Sequence, residues 1–164
     1  MDKVFKYPNF VKFALNIWPP FLCCGIRFTE IAKDFSYARV ELKHWKLNLN
    51  ANRTQYGGSI FSMTDPVYSL LLMASLGKKY HVWDKSADVD FIHPGRETLV
   101  AEAFLNSERL NEIRKATESG GKIYPTFTFH VKDKHGQLVA QVNRTLYVRL
   151  KAKYRPKTVH KGEL

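Results

Sequence analysis

Cysteine is nearly missing from this 164-residue sequence, and the two present, Cys23 and Cys24, are adjacent. Neighbouring cysteines are poorly placed to bridge each other, so nothing indicates an oxidising compartment and a reduced, cytoplasmic setting is expected. Metal-ligand spacing is missing too. His44, His81, His93, His130, His135 and His160 are scattered, and the cysteines lack a matching second pair, so no metal is expected. No Gly-x-Ser-x-Gly elbow offers a serine nucleophile, and no Gly-rich loop with a lysine offers a phosphate cradle. No stretch approaches the roughly 20 apolar residues a membrane span needs. The apolar segment after Lys3 and Lys6 is broken by Lys12, Asn16 and Pro19-Pro20 and has no small-residue cleavage site, so export is not expected.

Acidic residues are scarce relative to basic ones, 15 against 26, which leaves a net charge of +11. That surplus favours anionic partners without choosing among nucleotide phosphates, nucleic acid, an acidic carrier protein or an anionic membrane. Nucleic acid is disfavoured, because no helix-turn-helix, zinc module or aromatic RNA-binding signature is present. The length fits a single domain, residues 1–150, with a helix inside 1–20. A basic tail, 151–164, carries five lysines and arginines against Glu163 and is expected to be mobile.

The pattern along the chain is that of one α+β unit. Asn9 is placed to cap a helix in which Phe10, Phe13, Ala14, Ile17 and Trp18 recur at helical spacing, and Pro19 ends it. This reads as a lid or packing helix. Strands are expected over 25–32 and about 38–43, then over 80–92, ended by His93-Pro94-Gly95. A fourth alternates through Leu99, Ala101, Ala103 and Leu105, and 107–116 is a short polar helix or loop. A fifth strand over about 122–132 forms a long hairpin with a sixth over 138–150, whose apolar face is interrupted only by Arg144. Between the second and third strands lies a polar loop, 48–55. It leads into a helix reaching Leu76, apolar on most faces and closed by Gly77.

The start of that helix carries the chemistry. Gly57 and Gly58 place two N–H groups without intrahelical partners at its N-terminus, where glycine lets a substrate approach closely and a developing oxyanion can be held. Asp65 follows Gly57 by eight residues, roughly 12 Å along an ideal helix. Both groups therefore serve one reacting carbon only if substrate or a second subunit bridges them, and a site shared between subunits is expected. Each residue also has a plainer reading: the glycines as a tight helix entry, Asp65 as a cap ahead of Pro66, Ser69 as a packed helix residue, Tyr56 as core packing. Pro66 interrupts the helix, either re-aiming Asp65 or marking a bend against a neighbouring subunit, and leaves the Ser62 carbonyl without its usual donor.

From about Trp18 to Leu150 the chain resembles the hotdog-fold acyl-CoA thioesterases of the phenylacetate-pathway type (PaaI-like). It is more similar still to a branch of that superfamily known only as a domain of unknown function. The resemblance rests on Asn50, Gly57-Gly58 and Asp65, and, for the branch, on Trp18-Pro20, Gly57-Pro66 and Val82-Lys85. Where many thioesterases carry His before the glycines, this chain has Tyr56.

The resemblance implies a long antiparallel sheet around the central helix, and homodimers that often pair into tetramers. It implies hydrolysis of an acyl-CoA substrate with no cofactor, Gly57 and Gly58 as oxyanion donors, and the partner subunit's Asp65 as general base or nucleophile. Ser69, on the same helical face as Asp65, would orient water, and Asn50 would position the thioester. Substrate contacts fall on Tyr56, Phe61, His93, Arg96 and Arg149, and the acyl pocket draws on Phe61, Met63, Tyr68, Leu72 and Phe91. The triplet Trp83-Asp84-Lys85 reads as a structural salt link, a subunit contact or a ligand contact. A non-catalytic acyl-CoA-binding role stays open.

Overall fold

A computed structural model describes residues 4–156. Its main element is a seven-stranded antiparallel sheet. The strands are β1 (Ile26–Ile31), β2 (Tyr37–Leu42), β3 (Tyr80–Phe91), β4 (Leu99–Phe104), β5 (Lys122–Ile123), β6 (Thr126–Asp133) and β7 (Leu138–Leu150). They run β1-β2-β4-β6-β7-β3 across the sheet, with the short β5 also on β7. The expected fifth strand is therefore two. Pro125 has no N–H to donate, so the ladder stops there and only its carbonyl is used, by the Leu146 amide at 2.9 Å.

The central helix fills the concave face in two pieces, α3 (Gly57–Ser62) and α4 (Val67–Leu76). Val67 and Leu70 to Leu72 of α4 are all buried, as are the inward positions of β2, β4 and β7. An apolar surface all round suits a helix wrapped by a sheet. Gly77 ends α4 at φ +72°, which glycine adopts at little cost. Contrary to the sequence expectation, the helical run 57–79 contains an 18-residue window that reaches the composition of a membrane span, with a mean hydropathy of 1.2. Yet 56% of that window is buried inside the fold, as a core helix must be.

The N-terminal segment differs from expectation. Helix α1 (Pro8–Ile17) begins one residue before Asn9, with Tyr7 in the capping position and Pro8 in the first turn, where its missing N–H costs nothing. Pro19 ends α1 but also opens a second helix, α2 (Pro19–Cys24). The residue that docks α1 is polar. Asn16 donates to the Phe28 carbonyl at 3.0 Å and accepts from the Phe28 amide at 2.7 Å. It thereby acts as a strand partner to β1 and covers that edge of the sheet. Val11 is buried beneath α1, whereas the stripe Phe10, Phe13, Ile17 and Trp18 faces outward.

Helix α5 (Ser107–Thr117) is capped by the Asn106 side chain, which accepts from the Arg109 amide at 2.8 Å. Of the basic tail, residues 151–156 fold back on the domain: Lys151 donates its amide to the Lys79 carbonyl at 2.8 Å, and Arg155 Nε donates to the Leu150 carbonyl at 2.8 Å. The expectation of mobility for 157–164 falls outside the described residues.

Candidate active site

The loop ahead of α3 is pinned by buried amide side chains. Asn48 donates to Gln55 Oε1 at 3.1 Å and accepts from Ser59 Oγ at 2.5 Å. Gln55 Nε2 in turn donates to the Leu42 and Glu97 carbonyls at 3.2 and 3.0 Å. Asn50 serves its own loop: its carbonyl accepts from the Asn52 and Thr54 amides, and its NH2 group donates to Thr54 Oγ1. Such an arrangement is what an Asx turn provides.

This brace presents the helix entry in one orientation. The first α3 amides to find acceptors are those of Ser59 and Ile60, both on the Tyr56 carbonyl. Among the described residues, the Gly57 and Gly58 amides have none. Gly57 lines a cavity of about 350 Å³ with Asn50, Ile60, Phe91, His93 and Pro94. A Cβ on Gly57 would stand 3.0 Å from Phe91 Cζ, so glycine is what permits that approach. Tyr56 is exposed and leans over Gly58 instead of packing in the core.

Asp65 and its neighbours form a second cluster. Arg144, the one charged residue on the inward face of β7, is 2% exposed and lies under the turn between α3 and α4. Its Nη1 donates to Asp65 Oδ1 at 2.7 Å, Nη2 to the Phe61 carbonyl at 2.7 Å and Nε to Thr64 Oγ1 at 3.1 Å. The guanidinium also stacks on the Phe61 ring at 4.3 Å. One planar group thus satisfies three acceptors in a part of the helix where the regular ladder fails. The Ser62 carbonyl, expected to be orphaned by Pro66, accepts instead from the Asp65 amide at 3.1 Å. Among the described residues, the Asp65 side chain accepts from Arg144 and not from the first turn of α4. It is 52% exposed, with one oxygen on Arg144.

Asp84 completes the cluster from β3. Its Oδ1 is buried without a hydrogen bond and sits 3.6 Å from Arg144 Nη1. Burial pushes the Asp84 carboxyl above the usual carboxylate range; Arg144 pulls the other way, and the charge of Asp65 adds to the rise. An acid raised by folding contributes stability below its unfolded pKa, and this is lost as pH climbs through the folded value. Asp84→Asn is therefore expected to raise Tm by a few degrees at pH 7, with the gain vanishing as pH falls towards 4. Melting curves across that range would decide it, and an unchanged gain at low pH would reject the assignment. Ser69 Oγ lies beside Asp84 and donates to the Pro66 carbonyl at 3.1 Å.

The residues singled out in the sequence therefore separate. Asn50, Gly57 and His93 share the cavity. Asp65 and Phe61 gather around Arg144, the residue that sequence reasoning left unassigned although it alone broke the apolar face of the last strand, and Ser69 joins them only through Asp84. Arg96 is exposed, without an ion pair among the described residues. Arg149 donates to the Gly120 carbonyl at 2.9 Å and lies opposite His81. That is ten residues along β3 from Phe91, roughly 33 Å. Met63, Tyr68 and Leu72 are core residues. In the Trp83-Asp84-Lys85 triplet, Trp83 stacks on Tyr147 at 5.1 Å and Lys85 Nζ lies 4.4 Å from the Tyr124 ring centroid. Among the described residues, no group of three or more His, Cys, Asp or Glu side chains is placed to hold a metal.

Residues 8–148 match the family described as Domain of unknown function (DUF4442), and the chain belongs to that family. No curated protein matches. Among solved structures, the chain is similar to a Pseudomonas aeruginosa protein of unknown function termed a probable thioesterase. The two share 17% identity and a TM-score of 0.78, over 87% of this chain and 95% of that one. It is also similar to a thioesterase from Haemophilus influenzae (13%, TM-score 0.66, 87% and 90%). The E. coli PaaI protein from the phenylacetic acid degradation operon is a third (16%, TM-score 0.61, 92% and 96%). At these identities the likeness establishes the fold, which is the hotdog.

Proposed function

We propose that the protein hydrolyses acyl-CoA thioesters at a site built by two copies of the chain. The observation that carries this reading is the pair of Gly57 and Gly58 amides without acceptors, with Gly57 opening on a cavity beside the end of β3. The thioester carbonyl enters that cavity and its oxygen takes the amide hydrogen bonds. Water adds to the carbonyl carbon, the oxyanion collapses, the C–S bond breaks, and coenzyme A leaves as thiolate to be protonated. A carboxylate must accept the proton of the attacking water or attack the carbon itself.

Asp65 is the carboxylate for that step, supplied by the second copy. Within one chain it sits at the Arg144 cluster, and Arg144 pairs with Ala87 on β3, four residues or roughly 13 Å from Phe91. Among the described residues, the outer edge of β3 has no strand beside it. A second β3 lying antiparallel along that edge covers it, and an alignment centred near Val89, which sets Ala87 of one copy opposite Phe91 of the other, brings each Asp65 towards the other copy's Gly57 cavity. Arg144 holds one oxygen of Asp65 and leaves the other for chemistry, Ser69 stands nearby to orient water, and Arg96 at the exposed turn is available to the coenzyme A phosphates.

Thiol release from short, medium, long and aromatic acyl-CoAs tests the reading and names the acyl class. Gly57→Ala puts a methyl group against Phe91 and displaces the carbonyl, so kcat/KM is expected to fall about 10²-fold. A Phe91→Ala change in that background is expected to recover part of the loss by making room. No thiol release from any ester, with acyl-CoA still raising Tm, would turn the reading to an acyl-CoA-binding protein.

A further inference from the structure

We propose that α1, α2 and the loop around Leu47 form a surface that seats this protein on an anionic lipid bilayer. This does not depend on the thioesterase reading. Phe10, Phe13, Ile17, Trp18, Leu22 and Leu47 stand outward, between 45% and 82% exposed. Because α1 is fastened to β1 through Asn16 and buries Val11, its outward stripe is left over after the core is made. Exposed apolar side chains at this density mark an interaction surface. Phe13, Ile17 and Leu22 also border a cavity of about 650 Å³ with Trp45, and Arg27 and Lys43 stand at its wall.

The charge around the stripe selects the occupant. Residues 4–28 contain no Asp or Glu, and Lys6, Lys12 and Arg27 are joined by Lys43 and Lys46 from the neighbouring loop. Glu41, the acid on the cavity wall, is taken by Arg39 at 3.4 Å. A partner for this surface must be apolar at the centre and negative around it, as a bilayer with anionic headgroups is. Aromatic and aliphatic side chains enter the headgroup boundary while lysines and arginines reach the phosphates. A second copy of the chain fits this face poorly, because it would set Lys6, Lys12, Arg27, Lys43 and Lys46 against their own counterparts.

Sedimentation of the full chain with vesicles of phosphatidylcholine alone, or with phosphatidylglycerol added, tests this. Binding is expected to need phosphatidylglycerol and to weaken with salt. Phe13→Ser with Leu47→Ser is expected to lower it about tenfold, and removing Lys43 or Lys46 about fivefold each. All four side chains are solvent-facing, so an unchanged Tm will show that the variants fold. Absence of binding to phosphatidylglycerol vesicles overturns the proposal. So does binding that ignores the Phe13 and Leu47 changes, which would reflect general basic charge. A shift in self-association with these variants, without a change in lipid binding, would make the surface an interface between copies and overturn it equally.

Discussion

Asp65→Asn is expected to lower kcat for acyl-CoA hydrolysis about 10²–10⁴-fold, the usual contribution of a positioned base, while the protein stays folded. Asparagine keeps the shape and a carbonyl oxygen that can still accept from Arg144 Nη1, now 2.7 Å from Oδ1. Because that hydrogen bond survives and Asp84 still faces the buried guanidinium at 3.6 Å, the loss of stability is expected to be modest. What disappears is the free oxygen able to take a proton or attack carbon. Thiol release measured beside a melting curve separates the two effects. A variant that keeps its rate would remove Asp65 from the chemistry and leave the Gly57 cavity as a binding site.

Arg144→Met should be the most destabilising change in the cluster, by roughly 3–5 kcal/mol. Methionine fills comparable volume but abandons the Phe61 carbonyl and Thr64 Oγ1 and leaves Asp84 without its counter-charge. Adding Asp84→Asn is expected to recover a substantial part, since a neutral, well-packed replacement for a buried ion pair is often as stable as the pair. Equilibrium urea unfolding of both variants measures this. A single-variant loss below about 1 kcal/mol, the net value of one ordinary hydrogen bond, would show that the guanidinium does not hold the turn. If hydrolysis is found, the single variant should also lose rate through a wandering Asp65.

The sequence was readable wherever a pattern is local. Alternation in β2, β4 and β7 and the all-round apolar character of 67–76 reflect burial by a sheet, and the hotdog resemblance agreed with them. The stripe of α1 was legible as helical spacing, but its direction was left open between a lid and a packing helix for a physical reason. Periodicity reveals that one face is apolar but not which face meets the core, and here Val11 and the polar Asn16 do the docking. Tyr56 likewise gave no sign of standing in solvent above Gly58.

By itself, then, the sequence determined the strand and helix pattern, the Gly57-Gly58 entry, the interruption at Pro66 and the basic charge, because each follows from neighbours a few residues apart. Only the tertiary structure decided that Arg144 reaches back 79 residues to Asp65, that Gly57 and His93 share a cavity from which Asp65 is absent, and that, among the described residues, one sheet edge is covered while β3 stays open. A lone arginine on an apolar strand is costly until its partners are in place, and those partners come from segments that meet only when the sheet closes round the helix.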